Sequence, residues 1–301
     1  MKSKKTVIGG ALLLCVAAAL LSICLGSVKL TLNQLYSALL AGPQGTAGFI
    51  FWYSRLPRTA ACLLSGAALA VSGAVIQIVL HNRLASPSII GVNAGAGLAV
   101  TVCCALGALS GWAIAGAAFA GAMGAMLLVV NVGQKTGASR TTVILAGVAV
   151  NAILNALSEA VTTLIPEVAM MSVDFRAGGF ASVSHTRLLP AGVLILAAMT
   201  ALLLMHNELD VLALGEDTAM RTVFLVLAAL LAGAAVSFAG LLGFVGLIVP
   251  HAMRKLTGSD SQYLLPVCAL GGAGFVTLCD TVSRVVFAPY ELPVGILMSV
   301  I

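Results

Sequence analysis

The sequence predicts an all-α polytopic membrane protein of about ten transmembrane helices. Three observations carry this expectation. Of the 301 residues 60% are hydrophobic and only 8% are charged, against about 25% in a typical soluble domain. Mean hydropathy is +1.12. The apolar stretches are continuous rather than alternating, which argues against a transmembrane β-barrel. With 15 basic and 10 acidic side chains the chain cannot clothe a soluble core of this size. A soluble enzyme, a nucleic-acid binder and a disordered chain are therefore excluded. The 32 glycines suit close helix packing in lipid.

Charges punctuate the spans. Thr6–Val28 is an uncharged run of 23 residues, enough for the about 20 residues of a span and longer than a usual signal core. Leu21-Ser-Ile-Cys24 resembles a lipoprotein cleavage box, but Ile23 stands where a small residue is expected, so this run reads as a retained first helix. A polar, glycine-containing segment follows to about Arg58, then a second span, Thr59–Leu80. Leu84–Gln134 carries no charge over 51 residues and must fold back once, with Ser110-Gly-Trp112 as the turn. A short loop, Asn131–Arg140, leads to a fifth span, Thr141–Ile165. Pro166–Arg187 holds Glu167, Asp174 and Arg176 and reads as a loop with room for a short surface helix. Leu188–Met205 is a sixth span.

His206–Arg221 is the most charged part of the chain and is expected on the inner face. Thr222–Met253, 32 residues without charge, is too long for one span and short for two. Two short helices broken at Gly240, Gly243 and Gly246 satisfy it. Ser261–Ser283 is a ninth span. A tenth begins near Pro293 and is truncated at Ile301, since eight residues at 1.5 Å reach only about 12 Å. Residues 1–301 thus form one transmembrane domain. With the N-terminus inside, the inner segments hold nine Lys and Arg against six outside, the bias expected of cytoplasmic loops. All seven cysteines lie in apolar stretches without a CxxC and read as small apolar fillers.

Several polar constellations stand out. Gly66, Ala70, Gly73 and Gln77 share one helix face, a packing seam ending in one interhelical hydrogen bond. Gly91 and Gly95 form a GxxxG. Asn151, Asn155 and Glu159 form an i, i+4, i+8 stripe that does not suit lipid; a pathway wall and interhelical glue are both open readings. Asp280 and Arg284 are an i, i+4 salt bridge, worth about 0.3–0.5 kcal/mol at an exposed site. His251, after Pro250, reads as a capping or interfacial residue. Nothing resembles a nucleophile triad or a zinc motif, and Gly133-Gln-Lys-Thr136 is only a near miss to a P-loop. No catalytic residue, metal site or bound cofactor is expected.

Together these segments resemble the FecCD-type permeases of ABC importers for iron–siderophore complexes, haem and vitamin B12. The resemblance is carried by Arg55-Leu-Pro-Arg58, by Gly66, Gly73 and Gln77, by Asn82-Arg-Leu-Ala-Ser-Pro87 and by Gly91-Val-Asn-Ala-Gly-Ala96. It continues with Leu214-Gly-Glu216 and Ala219, then Gly243-Phe-Val-Gly-Leu-Ile-Val-Pro250-His251 with Arg254, then Asp280, Arg284 and Glu291-Leu-Pro-Val-Gly295. The matches run in family order from about residue 55 onward.

The resemblance implies ten helices per subunit, a dimer of permeases around a central pathway, and alternating access. It implies two cytoplasmic ATPase subunits that bind ATP and Mg, and an extracytoplasmic binding protein that delivers an iron chelate or cobalamin-like ligand. The chain would sit in a bacterial cytoplasmic membrane. Arg55, Arg58 and Arg284 would form an outer rim that pairs with acidic residues of the binding protein. Leu214, Gly215, Glu216 and Ala219 would form a coupling loop, with a short helix around Gly215–Ala219 docked on the ATPase. Three departures from the family pattern are visible. Arg83 stands where proline is usual, roughly eight residues are missing after Ala219, and the chain stops early in its last helix. The shortening beside the coupling loop predicts impaired coupling. Two competing readings are a proton-coupled secondary transporter using Glu159 and Asp280, and a degenerate, non-transporting subunit.

Overall fold

A computed structural model describes residues 4–135, 139–215, 218–286, 288 and 290–300. The described residues form α1 (Lys4–Cys24), α2 (Leu32–Ala41), α3 (Gly45–Ile50), α4 (Leu56–Val79), α5 (Val92–Ala105), α6 (Gly111–Lys135) and α7 (Arg140–Leu164). They continue as α8 (Pro166–Ala177), α9 (His185–Leu204), α10 (His206–Leu212), α11 (Thr218–Ala239), α12 (Val245–Thr257), α13 (Ser261–Val286) and α14 (Val294–Val300). No strand occurs among them. The ten apolar stretches correspond to α1, α4, α5, α6, α7, α9, α11, α12, α13 and α14. Seven of these helical stretches are long and apolar enough to cross a membrane; α5, α12 and α14 are shorter. The non-helical stretch 80–91 before α5 is partly buried at Ala85, Ser86 and Ile90, which is how irregular backbone is accommodated among membrane helices.

The segment before the second span departs from expectation. It is helical where a polar connection was expected. Thr31 caps α2, its hydroxyl accepting from the backbone N–H of Gln34 while the Gln34 side chain accepts from the backbone N–H of Thr31. The Thr-x-x-Gln spacing of a capping box was the available signal. From Gly45 the chain runs through a π-helical turn, Phe51–Arg55, into α4 without interruption.

The centre of the molecule is α4, packed by α11, α12 and α13. The predicted small-residue seam lies here. A Cβ on Gly66 would fall 2.2 Å from the Gly272 carbonyl oxygen of α13, and one on Gly73 would fall 1.9 Å from that of Gly246 in α12. Backbone therefore meets backbone, the contact that drives helix association where lipid supplies no hydrophobic force. Gly95 of α5 meets Gly121 of α6 in the same way. The expected break between α11 and α12 spans residues 240–244. It is tied down by neighbours: the Leu241 amide donates to Phe175 O at 2.9 Å and, at its edge, the Gly179 amide to Ala239 O at 2.8 Å. At Gly240 (φ +71°) only glycine fits without strain.

Candidate functional site

Two ends of the bundle carry polar machinery. At the end where α1 finishes and α4 begins, three guanidinium groups converge. Arg55 donates to the carbonyls of Ile23 (2.6 Å), Cys24 (2.8 Å) and Val28 (2.6 Å), satisfying orphan acceptors at the C-terminus of α1. Arg58 donates through Nε and Nη2 to Asp280, at 2.9–3.1 Å, and through Nη1 to Glu291 at 2.6 Å. Arg284 meets the second Asp280 oxygen at 3.0 Å and donates to the Ser22 hydroxyl at 2.9 Å. Ser22 is bonded in turn to Thr59 at 2.8 Å. Glu291 also accepts from Ser27 at 2.9 Å. Burial works to raise the Glu291 carboxyl, but the hydrogen bond and charge of Arg58, helped by Ser27, hold it below the usual range.

This geometry corrects two expectations. The arginines do not form an open rim: Arg55 is 3%, Arg58 8% and Arg284 3% exposed. Arg58 and Arg284 are matched in charge by Asp280 and Glu291, while Arg55 is satisfied by backbone carbonyls, because a buried guanidinium left without partners would be costly. The Asp280–Arg284 bridge is likewise no surface pair, since Asp280 is 0% exposed. Arg58 nevertheless borders a cleft of about 220 Å³ between the α8–α9 and α13–α14 connections, lined also by Asp174, Phe180, Glu291 and Pro293.

At the opposite end lies the charged segment. α10 is the short helix, earlier than expected; Leu214 and Gly215 follow it in a turn, and Ala219 already belongs to the first turn of α11. Glu216 lies outside the described residues. Leu214 is 92% exposed while Leu209 and Leu212 are buried, so the helix is anchored and the turn projects. Asp210 fastens α10 to α13 by accepting from the Ser261 hydroxyl. Lys4 bridges Asp260 at the same end, at 2.8 Å. Arg140 donates to Gly215 O at 2.7 Å and meets His81 Nδ1; neither Arg140 nor His81 was singled out from sequence, and the Leu214–Gly215 turn was.

The α7 stripe divides. Asn151 donates its amide to Ser88 O (2.8 Å) and Ile89 O (2.7 Å), which is the role of glue. Asn155 and Glu159 are exposed, on a helix whose Leu145, Ile153 and Leu157 are also uncovered. In the core, Arg254 donates to Gln77 Oε1 at 2.9 Å and Gln77 donates to Gly246 O at 3.2 Å, the interhelical bond expected of Gln77. Pro250 is buried inside α12. His251 borders an apolar groove of about 630 Å³ together with Arg83, Leu84 and Lys255.

The sequence pattern of the FecCD transport family matches residues 13–301. The chain belongs to the FecCD transport family. This FecCD chain is 37% identical over 310 residues to the iron(3+)-hydroxamate import system permease protein FhuB of Bacillus subtilis, covering 98% of the chain and 79% of the relative. It is 35% identical over 297 residues to the vitamin B12 import system permease protein BtuC of Escherichia coli, covering 94% and 87%. Its fold superposes with a TM-score of 0.86, at 29% identity and over 99% of this chain and 96% of the other, on a structure assigned as an inward-facing metal-chelate type ABC transporter. The FecCD chain is therefore a multi-pass membrane protein of the ABC importer permease type. Among its described residues no group of three metal-ligating side chains occurs.

Proposed function

We propose that the chain is the permease subunit of a binding-protein-dependent ABC importer that carries an iron chelate, or a related cobalamin-like ligand, by ATP-driven alternating access. The observation that supports this reading best is the full-length likeness in both sequence and fold to hydroxamate, B12 and metal-chelate permeases. In this reading ATP and Mg belong to a partner ATPase and the chain itself holds no cofactor and does no covalent chemistry. A second permease copy or paralogue covers the uncovered face of α7. The Leu214–Gly215 turn seats on the ATPase. The binding protein docks at the Arg58 end, over the cleft that Arg58 borders. The membrane is the bacterial cytoplasmic one with the N-terminus inside, supported by the Lys and Arg bias of the loops.

The test is uptake into proteoliposomes holding the chain, its ATPase and its binding protein, using radiolabelled ferric hydroxamate and radiolabelled cobalamin as probes. Uptake of either that requires internal MgATP is the expected result. Uptake driven by a proton gradient without ATP overturns the reading in favour of a secondary transporter.

A further inference from the structure

The end of the molecule that carries the Leu214–Gly215 turn holds a three-way junction. Arg140 opens α7, whose N-terminus Ser139 caps through its hydroxyl. Its guanidinium reaches two other segments at once. Nη2 donates to Gly215 O at 2.7 Å, and Nη1 meets His81 Nδ1. His81 lies in the connection from α4 to α5 and holds a left-handed backbone, φ +48°, which a residue with a Cβ adopts rarely. Since a cationic guanidinium only donates, Nδ1 is the acceptor and the ring proton sits on Nε2. The backbone of Ala213 lies beside the same ring. The Gly215 carbonyl, just past the C-terminus of α10, is therefore held by Arg140, which His81 supports. Such carbonyls lack helical partners and attract cationic donors.

The same two partners are joined again further in. Asn151, three turns along α7, grips Ser88 O and Ile89 O of the α4–α5 connection. Gly147 lets that connection approach so closely that a Cβ there would lie 2.8 Å from Ile89 O. α7 and residues 80–91 thus form one body, and Arg140 is the point where that body takes hold of the turn after α10.

We infer that Arg140, with His81, is a positioning pair that transmits movement of the 213–215 turn to α7 and to the α4–α5 connection. This rests on the reading of that turn as the ATPase seat. When the turn shifts, the guanidinium draws both segments with it, and the exposed Asn155 and Glu159 face of α7 moves as a consequence. Without the fork, the turn can still seat on the ATPase while α7 remains where it is.

The experiment uses the full chain in complex with its ATPase, in a cysteine-free background carrying Asn155→Cys. The readout is the labelling rate with a water-soluble maleimide, without nucleotide and with MgATP plus vanadate. The Arg140 parent should show a nucleotide-dependent change of about tenfold. Arg140→Ala should bring down the same amount of ATPase yet lose that change, and Arg140→Lys, which keeps the charge without the fork, should keep only part of it. An Arg140→Ala complex that labels like its parent in both states overturns the inference while leaving the functional reading intact. A parent chain that retains no ATPase overturns the reading and the inference with it. If Arg140→Ala fails to assemble, amide hydrogen exchange of the free chain decides. Joint loss of protection at 80–91 and 211–215, with the rest unchanged, supports the junction, and loss at 211–215 alone or throughout the bundle overturns it.

Discussion

Asp280, with no exposed surface, is gripped by both Nε and Nη2 of Arg58, a residue 222 positions earlier in the chain. The pair joins α13 to the start of α4, the two helices whose backbones also touch at Gly66 and Gly272. Arg284 completes the coordination from within α13. A carboxylate this deep is tolerable only when its lone pairs are filled; here two guanidinium groups fill them.

Removing the acid should therefore cost far more than removing its neighbour. Asp280→Asn leaves buried Arg284 without a matching charge and Arg58 with Glu291 alone, and loss of one member of such a buried pair costs about 3–5 kcal/mol. Glu291, whose side chain is 31% exposed, should cost about 1 kcal/mol or less as Glu291→Gln. Thermal unfolding in detergent measures both. An Asp280→Asn variant that melts with the parent would show that the network contributes nothing to stability.

The glycine seam makes a steric prediction. Gly73→Ala puts a methyl 1.9 Å from Gly246 O and Gly66→Ala puts one 2.2 Å from Gly272 O, whereas Gly116 has nothing within 4 Å. The first two must part α4 from its neighbours, an overpacking cost of about 1–3 kcal/mol or more. Gly116→Ala should be neutral or stabilising by up to about 1 kcal/mol through helix propensity. Folded yield and melting temperature of the three variants, side by side, report the ordering.

His81 should make coupling sensitive to acid. Burial first, then the charge of Arg140, hold its pKa below the ordinary 6.5, with Arg221 adding to them and the Ala213 hydrogen bond opposing. The folded state thus binds fewer protons at His81 than the unfolded one. The stability it contributes is fully present above 6.5 and is lost as pH falls through the lowered folded value. Protonation also removes the acceptor that meets Arg140. Nucleotide-dependent labelling at position 155 should fade reversibly as pH falls below 6.5, and His81→Gln should flatten that profile. An unaltered profile in His81→Gln would assign the acid sensitivity elsewhere.

Much of this was legible in the sequence, for a physical reason. Charged residues are rare in spans, so gaps between charges locate α1, α7 and α9 directly. Glycines spaced for one helix face announced that α4 would meet other backbones, and Gln77 found the interhelical bond its position suggested. The α11–α12 break followed from a run too long for one span. What was not legible depends on distance in the chain. Nothing local in Asp280-Thr-Val-Ser-Arg284 indicates that Arg58 will arrive from another helix and bury the pair, so a surface bridge was the natural reading. The same holds for Arg55, whose acceptors are backbone carbonyls at and just beyond the end of α1 and have no sequence signature. His81 and Arg140 were invisible because their partner, Gly215, offers only its carbonyl. Asn151 and Asn155 share a helix face, yet only tertiary packing decides that one holds a loop and the other stays open.

The one-turn spacing of Asp280 and Arg284 also bears on how this chain enters the bilayer. An isolated aspartate at the centre of an emerging helix costs about 2.5–3.5 kcal/mol on translocon scales, less toward its end. α13 arrives with its own counter-cation one turn away, so the acid can cross the insertion machinery already neutralised. α4 is synthesised earlier and carries Arg58 at its start. The late helix thus finds a prepositioned cation on the membrane-embedded part of the chain, and its aspartate is never without a nearby counter-charge.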